Sequence, residues 1–119
     1  LEERLQALEN KIASNDSNPE ALLQLAEALH FDLYWLEAAA PLYERFLELR
    51  PTRSDIHWRM IDVYINTTDV EGQKRHYEAL IKLNPHDTIA NDYYKNWFRP
   101  MYGYDTDAKL PERVADLAP

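Results

Sequence analysis

Four histidines, His30, His57, His76 and His86, are the side chains of this 119-residue chain best suited to proton transfer or metal ligation near neutral pH. A metal site needs three or four convergent donors, and these four fall on different helices or loops without ligand spacing. Cysteine is absent, so neither thiolate ligation nor a disulfide framework is available. Carboxylates are plentiful, 21 against 13 lysines and arginines, yet no Ser/His/Asp arrangement, glycine-rich phosphate loop or HExxH pair accompanies them. The residues therefore offer no catalytic constellation. They imply no cofactor and no metal, and a non-enzymatic role is expected.

The net charge of −8 is unevenly spread, with −4 in residues 19–51 and zero in 52–99. A protein that grips the phosphate backbone needs a clustered basic face, and none exists, so nucleic acid is not an expected partner. No apolar run approaches the roughly 20 residues of a membrane span. Freedom from cysteine fits cytosol and periplasm alike, which leaves the compartment open. The first residue is Leu, as in a piece excised from a longer polypeptide. Asn66-Thr67-Thr68 and Asn15-Asp16-Ser17 match the glycosylation acceptor pattern, but both read better as polar turns.

The elements that position these residues are helical. Two glycines in the whole chain are too few for the hairpins and bulges of an all-β fold. Residues 18–51 and 52–85 align, and their endings LYERFLELRP and HYEALIKLNP share a Tyr-Glu pair, the apolar positions after it and a closing proline. Pro51 and Pro85 stand 34 residues apart. Leu22, Leu25, Ala26 and Leu29 form a stripe at helical spacing, repeated by Met60, Ile61 and Tyr64. Asn18 before Pro19, or Ser17 with Glu20, signals the first of these helices. Second helices are predicted over 35–49 and 70–83, the latter capped by Thr68 or Asp69 and stopped before Pro85. Leu1, Leu5, Leu8 and Ile12 mark a flanking helix whose stripe covers an end of the stack or pairs with another copy. Tyr93, Tyr94, Trp97 and Phe98 belong to a further helix over 88–98, too apolar to lie uncovered beside Met101-Tyr102-Gly103-Tyr104. The tail from Pro100 has weak periodicity, with one short helix expected over 111–117.

Paired helices, the 34-residue step and the proline closing each unit resemble the tetratricopeptide repeat family. The family pattern falls on Leu22, Leu25, Ala26, Leu29, Ala39, Tyr43, Phe46 and Pro51 in the first unit, and on His57, Met60, Ile61, Tyr64, Gln73, Tyr77, Leu80 and Pro85 in the second. The resemblance implies an all-α fold: a right-handed superhelical array of antiparallel helix pairs, about six helices in all. Its parts would be a flanking helix over 1–17, units over 18–51 and 52–85, a half unit over 86–99 and a tail or linker over 100–119. Three departures stand out. Ile61 and Gln73 occupy slots where the family prefers small residues, so packing there should be looser or shifted. The first unit carries one extra residue between its helices. Pro41 lies inside a predicted helix, where it cannot donate to the Glu37 carbonyl, so a kink or a late helix start is expected.

In that family the first helix of each unit lines a concave groove. Carried over by position, the groove face here is Glu20, Leu23, Glu27 and His30, with Phe31 beside it, then Asp55, Trp58, Asp62, Ile65 and Asn66, then Ile89, Asp92, Lys95, Phe98 and Arg99. Acids outnumber bases on this face, and apolar islands interrupt it. Relatives that grip a C-terminal carboxylate use Lys and Asn at slots held here by Leu23, Glu27, Trp58 and Asp62, so a carboxylate would meet like charge. The implied role is a scaffold or adaptor that binds a basic, apolar protein segment as a helix or extended peptide. Self-association into a homo-oligomer, or service as the regulatory domain of a larger enzyme, are the alternatives.

Overall fold

A computed structural model describes residues 2–14 and 18–103, which form only helices and the turns between them, with no strand among them. Helix α1 spans Glu2–Ser14, α2 Pro19–Glu27, α3 Leu36–Leu49, α4 Ser54–Asn66 and α5 Val70–Leu83. Helix α2 passes directly into a wider π turn, Ala28–Asp32. Helix α6, Thr88–Asp92, runs through a second π segment, Tyr93–Phe98, into α7, Arg99–Tyr102. The described residues thus make six continuous helical runs. None of these helices is long and apolar enough to cross a membrane. The short helix expected over 111–117 lies outside the described residues, as do Leu1, Ser17 and the Asn15–Ser17 turn.

The local signals act as their chemistry dictates. Asn18 accepts from the Ala21 amide, with Pro19 at the first helical position where its missing N–H costs nothing. Asp69 accepts from the Gly72 amide and Asp87 from those of Ile89 and Ala90. Helices α3 and α5 each have 14 residues and start at Leu36 and Val70, a step of 34. The backbone repeats that step at the preceding turn: Tyr34 (φ 55°) and Thr68 (φ 59°) are both left-handed, reversing the chain after the first helix of each pair. The extra residue of the first pair is taken up by the π turn, since an i→i+5 ring holds one residue more than an α turn. Pro41 sits inside α3, which nevertheless begins at Leu36, so the late start expected from it does not occur. Its ring falls near the N-terminus, where the single lost bond is to the Glu37 carbonyl.

Two apolar clusters hold the helices together, and α4 belongs to both. Leu22, Ala26, Leu36, Ala39, Tyr43, Phe46, Ile56, Met60 and Val63 bring α2, α3 and α4 into one core. On the other side of α4, Ile61 joins Tyr77, Leu80, Ala90, Tyr94 and Phe98. The slot expected to hold a small residue thus presents Ile61 to this second core. Close approach of α4 and α5 occurs instead at Gly72, one residue before Gln73: a β-carbon there would stand 2.6 Å from Cδ2 of Tyr64. Gln73 beside it is buried, donates Nε2–H to the Tyr64 carbonyl, and leaves Oε1 without a partner.

Candidate functional site

Helices α4 and α6 bound the most distinctive concavity. Trp58 on α4 is half-buried, with its indole edge-on between Tyr77 (6.0 Å between ring centroids) and Tyr93 (6.1 Å). Trp58, Asp87, Ile89 and Tyr93 line a cleft of about 380 Å³. A second depression of about 550 Å³ adjoins it across Ile89 and Tyr93 and is walled by Thr88 and Asp92. Ile89 and Tyr93 are spaced i, i+4 and remain 60% and 50% exposed, so large apolar area faces solvent between two carboxylates. Asp87 is held at the rim because its Oδ1 caps α6. Asp92 accepts from Asn96 Nδ2 at 2.7 Å.

Of the groove positions taken from the sequence, Trp58 and Asp92 line these hollows together with Ile89. Asp62 and Ile65 lie one and two turns along α4 from Trp58, both exposed, while Asn66 donates to the Asp62 carbonyl at the helix end. Lys95 is exposed on the last run. Glu20 is exposed at the start of α2, and Leu23 packs against the first core. Asp55 accepts two bonds from Arg53, at 3.0 and 2.9 Å. Glu27 lines a separate hollow of about 530 Å³ between α1 and α2, with Arg4, Leu8, Gln24, Ala28, Phe31 and Asp32. An Arg4–Asp32 ion pair spans that hollow.

Three assigned positions point inward. His30 is buried, Phe98 is fully buried in the second core, and Arg99 is buried with its guanidinium 5.7 Å from the Tyr94 ring. All three lie in or directly after a π segment. The wider turn rotates the residues that follow relative to an α-helix, so a face extrapolated at α spacing turns away from the groove.

Sequence spacing also missed two polar clasps between helices. In the first, Arg59 on α4 reaches back to Glu27 on α2 at 2.8 Å and lies over the rings of Phe31 (5.2 Å) and Tyr43 (5.7 Å). The Tyr43 hydroxyl is 2.8 Å from His30 Nδ1. Burial, with the nearby Arg59 charge, depresses the pKa of His30, so a neutral ring meets the tyrosine hydroxyl there. Burial pushes the Tyr43 hydroxyl itself up to about 12, against the opposing pull of Arg59.

The second clasp is a continuous chain. His57 Nε2 lies 3.0 Å from the Pro51 carbonyl, and only a donated N–H satisfies that contact. Its Nδ1 lies 2.8 Å from His76 Nδ1, and His76 Nε2 lies 3.1 Å from Glu44, so one hydrogen-bonded chain runs from Pro51 to Glu44. Tyr64 O–H (2.6 Å) and Arg75 (3.0 Å) also donate to Glu44. Burial alone would raise the Glu44 pKa, but the bonds from His76 and Tyr64 and the charges of His76 and Arg75 outweigh it and hold the carboxyl at about 2. Burial likewise depresses His57, the Pro51 bond notwithstanding. Both imidazoles are enclosed, at 6% and 4% exposure, and neither has an open side for a substrate. Among the described residues no group of three or more His, Cys, Asp or Glu could hold a metal ion.

Asp87 and Tyr93 are the cleft residues that the repeat pattern did not supply. An Asp directly before the helical start Thr88-Ile89-Ala90 is a recognisable cap, and Tyr93 sits one turn after Ile89. Arg59 and the His57–His76 contact carry no local signal, because each partner lies on another helix. No known protein family and no curated protein matches the sequence.

Proposed function

We propose that this chain is a tetratricopeptide-type helical array acting as a non-enzymatic protein-interaction module, whose α4–α6 cleft receives a basic, apolar segment of a partner protein. The observation that carries this reading is the exposed Ile89–Tyr93 ridge beside half-buried Trp58, rimmed by Asp87 and Asp92. Apolar area that stays open at a concave surface, with one sign of charge around it, selects a ligand of opposite charge and similar apolar content. The 34-residue step between α3 and α5, and the left-handed residue before each, support the repeat reading. Replacing Trp58 with Ala and Asp62 with Lys removes an anchor and inverts a charge on the same face of α4. Affinity for a captured partner should fall at least tenfold in a calorimetric titration, whereas unchanged affinity would refute the groove assignment.

A second reading is self-association through the exposed apolar ends. Met101 is 56% exposed beside Tyr102 and Trp97, and Tyr34 and Trp35 are open at the turn before α3. Light scattering across a concentration series separates the two, since a strictly monomeric species excludes assembly.

A further inference from the structure

This chain repeatedly seats its own arginines on aromatic faces. Arg53 lies 5.3 Å from the Phe46 ring, Arg59 5.2 Å from Phe31, Arg75 5.8 Å from Tyr64 and Arg99 5.7 Å from Tyr94. Each is within the roughly 6 Å at which a ring quadrupole attracts a cation. Trp58 and Tyr93 differ in lining an open cleft: among the described residues, no basic side chain stands over either ring. Tryptophan is the strongest of the aromatic partners for a cation, and here its indole meets Tyr93 edge-on in an open cleft.

The rest of the cleft matches a long basic side chain. Ile89 offers exposed apolar surface along which the methylenes of Lys or Arg can lie while the charged head stays near water. Asp87 lines the same cleft, its carboxylate fixed by the amides of Ile89 and Ala90. Asp92 stands across the Ile89–Tyr93 ridge in the adjoining depression. An anionic ligand group would meet both carboxylates, and a purely apolar one would leave the Asp87 charge partly desolvated without compensation.

From this juxtaposition we infer that the α4–α6 cleft is a cation seat: it takes one lysine or arginine side chain of the bound segment, with the stem on Ile89 and the charged head against the Trp58–Tyr93 pair, facing the Asp87 carboxylate. The inference rests on the groove reading above and adds to it the identity of the anchoring residue in the ligand.

The test uses the whole 119-residue chain and two ten-residue peptides, acetylated and amidated. One carries a single lysine among leucine and glutamine; the other has norleucine in its place, which keeps the stem and removes the charge. The readout is the indole N–H resonance of Trp58, assigned by comparison with Trp58→Phe. The lysine peptide should shift that resonance saturably and bind about three- to tenfold more tightly than the norleucine peptide. Tyr93→Leu keeps the apolar wall, and Asp87→Asn keeps a capping oxygen. Each variant should erase most of that preference, read as the ratio of lysine-peptide to norleucine-peptide affinity. If both peptides shift Trp58 with equal affinity, the groove reading stands and the cation seat is overturned. If neither peptide shifts it at millimolar concentration, both fall together.

Discussion

Replacing Glu44 with glutamine removes the charge on which His76, Tyr64 and Arg75 converge while keeping the shape and one acceptor oxygen. Holding a carboxyl at about 2 instead of its ordinary 4.5 is worth about 3 kcal/mol, at 1.36 kcal/mol per tenfold. Solvent reaches 28% of the Glu44 side chain, so screening lowers that figure. A loss of about 2 kcal/mol at pH 7 is the expected outcome of Glu44→Gln. Because the folded-state pKa is depressed, the contribution is complete above pH 4.5 and disappears as pH falls towards 2. Urea denaturation of both proteins at pH 7, 5, 4 and 3 measures it. Below pH 6.5 both should lose stability together, since His30 and His57 are held neutral by burial and the unfolded chain takes up their protons first. The difference between the proteins therefore reports Glu44 together with the imidazoles coupled to it, His57 and His76. A gap below about 0.5 kcal/mol at pH 7, or one that stays constant from pH 5 to 3, would refute the argument.

Two further substitutions test the packing of α4 on α5. Gly72→Ala places a methyl 2.6 Å from the Tyr64 ring, and Tyr64 is itself tied to Glu44, so a destabilisation of about 1–3 kcal/mol is expected in thermal or urea unfolding. Gln73→Met removes a buried oxygen that has no partner, at the loss of one long bond to the Tyr64 carbonyl. That carbonyl keeps its bond from the Asp69 amide, so the urea midpoint should hold or rise, and a fall of more than about 1 kcal/mol would show that Oε1 is satisfied.

Much of the helical order was legible because its signals are local. The boundaries of α3 and α5 follow from apolar spacing and closing prolines, with the Asp69 cap added for α5, which begins and ends where the sequence places it. Asn18 and Asp69 cap as their side-chain chemistry requires. The face of a helix at or beyond a π segment was not legible, because the wider turn leaves no compositional mark; His30, Phe98 and Arg99, placed on the groove by α spacing, are buried there. Nor does a single sequence show which distant side chains converge. His57 and His76 lie 19 residues apart, and Glu44 lies 32 residues before His76, so only the packing of α3, α4 and α5 reveals that they share protons. At the cleft, the repeat pattern supplied Trp58, Ile89 and Asp92, while Asp87 and Tyr93 emerged from how α6 sits beside α4.

The His57–His76–Glu44 chain also limits how this protein can be cut and recombined. Helical units that meet only through apolar surface can be exchanged, because any apolar partner of similar shape will serve. Here the boundary after Pro51 separates an acceptor carbonyl and a carboxylate from the imidazoles that bond to them. A foreign unit docked in place of either half would bury these groups without partners unless it carries the same donors or acceptors in the same places. The two helix pairs are therefore one inheritable piece, and a chimera joined at Pro51 should melt in two steps where the native chain melts in one.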